Sequence, residues 1–352
     1  MPNENDISIT TEMLTMIGEI DRFNGTWEGW DTRLTPAELK VMKRVATIES
    51  VGSSNRIEGN KLTDDEIEEI FMHISQKSFR SRDEEEVAGY ADLIQLIFDS
   101  YRDIPLDENY IKQMHKILLK YSGKDERHRG EYKKDSNRVA AFDASGREIG
   151  SIFETASPFD TPRLMRELVE WVNEKLESKK LHPILVIGVF VVHFLAIHPF
   201  TDGNGRLSRA LTVMLMLKSG YSYMPYASME SIIEAFKDAY YRALRRTQRT
   251  IWGEKVNYEP WFSFFVASLQ KQKRNLEAKI ADLRRKHDNR LSDTSRAILA
   301  LFGKDESLSV PIMAAKLNKN QETIRKAVQA LAKQGYLTKL GTTRGAVYIQ
   351  NP

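Results

Sequence analysis

The sequence contains no cysteine in 352 residues, which excludes disulfides, thiol nucleophiles and cysteine-ligated zinc together and points to a reducing, cytoplasmic setting. No membrane-length apolar run occurs either. The longest, Ile184 to Ile197, covers fourteen residues and contains His193, whereas a span needs ~20, so a buried helix and no membrane contact are expected. The opening residues "MPNENDISIT" have neither a basic segment nor an apolar core, so no secretory signal is apparent. Strand-like alternation is scarce, and no fixed-period repeat is found. Net charge is only +3, but residues 270–352 hold 17 Lys or Arg against 7 Asp or Glu, a local +10. That part suits an acidic partner or a solvated basic face.

What is present is mostly helix. In "TPAEL", Thr35 can cap, Pro36 fits the first helical position and Glu38 completes a capping box, which predicts a helix to about Val51. Thr63 and Glu66 repeat the signal ahead of "IEEIFMHI", and helical spacing recurs in "EVAGYADLIQLIFDSY" and "NYIKQMHKILLKY". From about Asn137 to Ser151 two short extended arms flank Ala144, Ser145 and Gly146, a hairpin signal. "TPRLMRELVEWVNEKL" and "HPILVIGVFVVHFLAI" follow as helices, the second apolar on every side and hence central in a helical core. A helix from about Arg206 to Lys218, one through "SIIEAFKDAYYRALRRT", and a long, increasingly basic helix after Pro260 complete an all-α plan with one β insertion.

The stretch with the densest chemistry is "HPFTDGNGRLSR", His198 to Arg209. Pro199 ends the apolar helix, and Gly203 and Gly205 bracket Asn204 where the next helix begins. Glycines there let successive N–H groups form a concave nest, and a helix amino terminus adds partial positive charge, so the loop suits phosphate. Arg206 and Arg209, three apart on the first turn, can grip further phosphate oxygens. Asp202 offers the hard oxygen that Mg²⁺ prefers beside substrate phosphates. His198 alone in the stretch has an ordinary pKa suited to a general base near neutral pH.

The ordered set resembles the signature of the Fic family, HxFx(D/E)GNGRxxR, at His198, Phe200, Asp202, Gly203, Asn204, Gly205, Arg206 and Arg209. The resemblance extends over roughly residues 50–270. It implies a helical core whose signature joins two central helices, and the activity of an ATP- and Mg²⁺-dependent protein adenylyltransferase, which moves AMP onto a Tyr, Ser or Thr hydroxyl of a target protein or of itself. In that scheme His198 deprotonates the hydroxyl, Asp202 holds Mg²⁺, Gly203, Asn204, Gly205 and Arg206 bind the ATP phosphates, and Arg209 steadies the γ-phosphate. Glycine at 205 favours AMP transfer, since relatives that phosphorylate resemble a signature with lysine there. The hairpin resembles the family's flap, which docks the target as an added edge strand, with Ile149 as its apolar clamp. Here the prolines after the flap are separated, in "ETASPFDTPRL", where many relatives have a double proline.

"SSNRIEG" places Ser54 and Glu58 before Gly59 and resembles the inhibitory motif (S/T)xxxE(G/N) of many Fic proteins. That likeness implies that Glu58 pairs with Arg209 and denies it to the γ-phosphate. In some relatives the same glutamate assists removal of AMP, which stays an alternative activity. The tail, with "SRAILALF", "SVPIMAAKLN", "NQETIRKAVQALAKQGYL" and "TKLGTTRGAVYIQ", resembles a winged helix-turn-helix. Ser309 can cap its second helix; its third buries Ile324, Val328 and Leu331 and exposes Arg325, Lys326 and Lys333; Gly341 to Gly345 form the wing tip. Such modules bind DNA, here with Lys339 and Arg344 on phosphates, but they also dock proteins or pair into homodimers. A DNA-binding regulator with a nucleotide-sensing site is the competing reading, though a sensor has no use for a general base at 198. The expected organisation is a helical region with the inhibitory motif over 1–95, the catalytic core over 96–270, a basic connector over 271–291 and the winged helix over 292–352.

Overall fold

Helices α1 (Thr11–Asp31), α2 (Pro36–Ile57), α3 (Asp64–His73), α4 (Arg82–Ser100) and α5 (Glu108–Leu118) precede a hairpin of β1 (Arg138–Phe142) and β2 (Glu148–Glu154). After it come α6 (Thr161–Ser178), α7 (Pro183–Ile197), α8 (Asn204–Lys218), α9 (Glu230–Ala235), α10 (Lys237–Gln248) and α11 (Glu259–Arg290). This computed structural model describes residues 2–31, 34–73, 79–142, 148–302, 307–333, 335–341 and 346–351. The chain divides into two compact units, residues 1–24 with 42–273, and residues 25–41 with 274–352.

The first unit is built around α7, whose residues from Ile184 to Ile197 are all buried, as a helix apolar on every side requires. It packs between α6 and α8 and against α10, and Trp261 of α11 donates its indole N–H to the Gly188 carbonyl at 2.7 Å. Both capping boxes form: Glu38 N–H donates to Thr35 Oγ1 at 3.3 Å and Thr35 N–H to Glu38 Oε2 at 2.9 Å, and Thr63 with Glu66 repeats the pair. The hairpin is antiparallel, with Arg138 opposite Glu154 and Phe142 opposite Glu148. Its turn, with Ala144, Ser145 and Gly146, lies outside the described residues. Ile149 sits on β2, and its side chain also lies outside the described set.

Two expectations are corrected here. Helix α2 runs six residues beyond Val51 to Ile57. The poor helix formers Gly52, Ser53, Ser54 and Asn55 are all buried, and packing outweighs their propensity. Arg56 fastens this last turn, reaching Glu234 Oε1 at 2.7 Å, Asp64 Oδ1 at 2.9 Å and the Leu62 carbonyl at 3.1 Å. The single helix expected through "SIIEAFKDAYYRALRRT" is broken at Phe236 (φ −118°, ψ 33°) into α9 and α10. The break lets Glu230 and Tyr240 both face the interior.

The second unit contains α12 (Asp293–Leu299), β3 (Ser307–Ser309), α13 (Val310–Leu317), α14 (Gln321–Lys333), β4 (Leu337–Leu340) and β5 (Val347–Gln350). The strands form an antiparallel sheet ordered β3-β5-β4. Ile298, Met313, Ile324, Val328, Leu331, Leu337 and Tyr348 make its core, while Arg325, Lys326 and Lys333 are exposed. Ser309 occupies the N-cap position of α13 but makes no side-chain cap bond. It is also the last residue of β3, opposite Val347, so the ladder fixes its backbone. Residues 342–345, which carry Arg344 and most of the anticipated wing tip, lie outside the described residues.

Candidate active site

The loop between α7 and α8 holds its shape through its own side chains. Asn204 Nδ2 donates to the Phe200 carbonyl at 2.7 Å, and Asn204 Oδ1 accepts the Phe200 N–H at 2.9 Å. Phe200 is fully buried and stacks on His115, with centroids 3.8 Å apart and 12° between planes. Gly203 has φ 78° at the N-cap of α8, a left-handed conformation that only glycine adopts without strain. The turn starts α8 with its first N–H groups and the positive end of its dipole at the loop, an anion-binding arrangement. The Asn204 side chain is thus a brace; only its backbone N–H is available to a phosphate.

Two guanidinium groups flank that turn, and Arg206 and Arg209 are 2% and 4% exposed. Arg206 NH1 lies 3.2 Å from Glu86 Oε2 and its NH2 3.6 Å from Asp202 Oδ1, yet its buried Nε has no hydrogen-bond partner, and neither has Arg209 NH1. Buried donors left unsatisfied are costly, and a phosphate oxygen is the ligand that satisfies a guanidinium best. Arg209 is otherwise fully engaged: Nε donates to Ser54 Oγ at 2.8 Å, NH2 to the Ser54 carbonyl at 2.8 Å and to Glu58 Oε1 at 2.9 Å. Burial works against its charge, but Glu58 with Tyr240, Tyr90 and Tyr241 outweighs burial and raises its pKa. The extension of α2 delivers Ser54 and Glu58 to this point, and Gly59, at φ 100°, turns the chain away. The Glu58 carboxylate rests where a Cβ on Gly205 would sit.

His198 caps α7 in the left-handed region, at φ 52° and ψ 60°. Its Nδ1 is 3.3 Å from the Leu195 carbonyl; a carbonyl only accepts, so Nδ1 carries the proton and Nε2 keeps a lone pair. Burial pushes the imidazole down to about 4, the Leu195 bond opposing and the Lys133 cation adding to the shift. A base neutral at pH 7 results. Asp202 is partly exposed and meets Arg82 NH2 at 3.1 Å through Oδ2. Among the described residues no group of three or more His, Asp or Glu is placed to hold a metal. An ion here would therefore use Asp202 plus ligand oxygens, the mode typical of Mg²⁺ with nucleotide phosphates.

The loop and the end of α2 bring together every signature and inhibitory residue named from the sequence. Around them stand groups that sequence reading missed. His115 accepts the Gly130 N–H on Nδ1 at 2.8 Å, so Nε2 is protonated and donates to the Asp202 carbonyl at 2.9 Å; burial holds it neutral, at about 4. Glu230, buried behind Arg209, accepts from Tyr90 at 3.2 Å, and burial raises its pKa. Arg82, Glu86, Lys133 and Asn137 complete the ring. Arg82 and Glu86 lie in "SRDEEE" and Lys133 and Asn137 in "EYKKDSN", so nothing in the local sequence sets them apart.

A signature loop joining two central helices, with two buried arginines at a helix amino terminus and a β-hairpin in the same unit, makes a site suited to a phosphate group. Residues 105–216 match the Fic/DOC family, and the chain carries a Fic domain. A probable protein adenylyltransferase of Aquifex aeolicus is 28% identical over 110 residues, 31% of this chain and 33% of that one. The protein adenylyltransferase Fic of Drosophila mojavensis is 27% identical over 192 residues, 52% of this chain and 34% of that one. The chain thus spans about a third of the length of the curated relatives it matches. A Fic family protein from Desulfovibrio desulfuricans G20 has the same fold, with TM-score 0.63 at 19% identity over 98% of each chain.

Proposed function

We propose that the protein is an autoinhibited adenylyltransferase that moves AMP from ATP to a hydroxyl of a target protein or of itself. The observation that carries this reading is a neutral His198 beside a helix amino terminus flanked by two buried arginines with free donors. The target oxygen attacks the α-phosphorus, its proton passes to His198 Nε2, and the bond from the α-phosphorus to the bridging oxygen breaks to release diphosphate. Backbone N–H groups of the α8 turn and Arg206 stabilise the charge that develops on the leaving group. Asp202 would hold Mg²⁺, whose chemistry when bound is to neutralise charge on the phosphates.

In the resting state Glu58 occupies Arg209, the group suited to the γ-phosphate, so ATP and Glu58 compete for one guanidinium. Comparing ATP labelled at the α- and at the γ-phosphorus in Glu58→Gly tests the chemistry: label from the α-position alone supports AMP transfer, and label from the γ-position contradicts it. A second reading concerns the tail, where α13, a turn at residues 318–320 and α14 leave Arg325, Lys326 and Lys333 exposed. This supports DNA docking with α14 in the major groove and Lys339 toward a phosphate. Binding of full-length protein to duplex DNA that weakens steeply with salt supports it; no binding at low salt contradicts it.

A further inference from the structure

Four consecutive carbonyls of the His198 loop are gripped by two residues of one short segment. Lys133 Nζ donates to the Ile197 carbonyl at 3.0 Å and its backbone N–H to Pro199 at 2.9 Å. Asn137 Nδ2 donates to the His198 carbonyl at 3.3 Å and to Phe200 at 3.0 Å. His198 sits at φ 52°, which a residue with a Cβ holds only when its surroundings over-determine it. These bonds are that constraint. The same side chains close the base of the hairpin: Asn137 directly precedes β1, Thr155 directly follows β2, and Lys133 Nζ reaches Asn137 Oδ1 at 2.8 Å and Thr155 Oγ1 at 2.9 Å. Thr155 Oγ1 in turn donates to the Asn137 carbonyl at 2.7 Å.

Lys133 is 4% exposed, and the hydrogen-bond acceptors of its ammonium are two carbonyl-type oxygens and a hydroxyl, with no carboxylate among them. A buried cation ordinarily pairs with an anion. One left with neutral partners beside a general base calls for a reason, and its charge supplies one, since it opposes a second proton on the imidazole. We propose that Lys133 is a positioning residue for His198, and that Lys133, Asn137 and Thr155 form a clasp joining the hairpin base to the His198 loop. A segment seated on the hairpin thereby bears on the base itself. The inference rests on the adenylyltransferase reading of the loop. Glu58 and Asp202 also act on His198, and both favour the imidazolium.

The test compares full-length Lys133→Met, Lys133→Arg and Thr155→Val in a Glu58→Gly background, measuring nucleotide affinity, kcat for transfer from α-labelled ATP, and the pH dependence of kcat. Losing the cation removes a repulsion, so His198 holds its proton to higher pH. The acid limb in Lys133→Met is expected to move up by about one pH unit, with kcat lowered ~10- to 100-fold, nucleotide affinity unchanged, and the limb restored by Lys133→Arg. An unmoved limb overturns the proposal, as does a parallel loss of affinity and kcat. Should Lys133→Met fail to fold, Thr155→Val decides, because it keeps the cation and removes one of its two partners at the hairpin base. Lower kcat with an unmoved limb is expected there, and unchanged kcat is the contrary result. If Glu58→Gly itself transfers no label, the adenylyltransferase reading fails separately. NMR titration of His198 in Lys133→Met then still judges the clasp, and an unmoved pKa overturns it.

Discussion

Replacing Glu58 by Gln should tighten ATP binding without moving Arg209. The ion pair is short, 2.9 Å, with side chains 34% and 5% exposed, while Ser54 holds the guanidinium through two further bonds of 2.8 Å. Glutamine keeps length and shape but removes the charge that, in the proposed autoinhibited state, competes with the γ-phosphate. A charge-assisted hydrogen bond contributes ~1.5–3 kcal/mol net. Solvent on one third of Glu58 draws this pair toward the lower end, ~1.5–2 kcal/mol, which at ~1.4 kcal/mol per tenfold is about 10- to 30-fold in affinity. Calorimetry in a His198→Ala background, which removes turnover, reads it directly. ADP is the internal control: it lacks the γ-phosphate, so its affinity should change by less than about threefold. Equal gains for both nucleotides, or no gain for ATP, would refute the competition.

Asn204→Ala removes both side-chain bonds that close the signature loop and leaves Phe200 N–H without that partner; a loss of ~1–3 kcal/mol in unfolding free energy is expected from denaturant titration, with transfer abolished. Arg56→Ala cuts the ties from the last turn of α2 to Glu234 and Asp64, and it should raise basal labelling several-fold by loosening Glu58, as an initial-rate assay would show. Acid should destabilise the fold from about pH 6.5 downward. His115, His193 and His198 are held by burial at about 4, 3 and 4, so their contribution is complete above the unfolded pKa of ~6.5 and is lost as pH falls toward these values. Thermal melts between pH 7.5 and 4.5 that do not move would contradict that assignment.

How much could be read from the sequence follows from how local each feature is. The signature was legible because eight specified residues fall within twelve positions, and the loop needs those types in that order. The capping boxes and the all-apolar α7 were equally local. What escaped reading depends on distant partners. The 64-residue separation between Lys133 and the Ile197 carbonyl, and the 87-residue separation between His115 and the Asp202 carbonyl, leave no trace in any period. The end of α2 was misjudged for the same reason, because Gly52 to Asn55 are helical through burial and the Arg56 ties, against their own preference. The break at Phe236 has no glycine or proline to announce it, and Glu230 behind Arg209 becomes visible only once α9 is in place.

Label transfer from α-labelled ATP to the protein and to a cell lysate tests the central claim most directly, comparing wild type, Glu58→Gly and Glu58→Gly/His198→Ala. The account predicts weak labelling of wild type, strong labelling with Glu58→Gly, and none once His198 is also removed. Labelling that survives His198→Ala, or three unlabelled proteins, would contradict it.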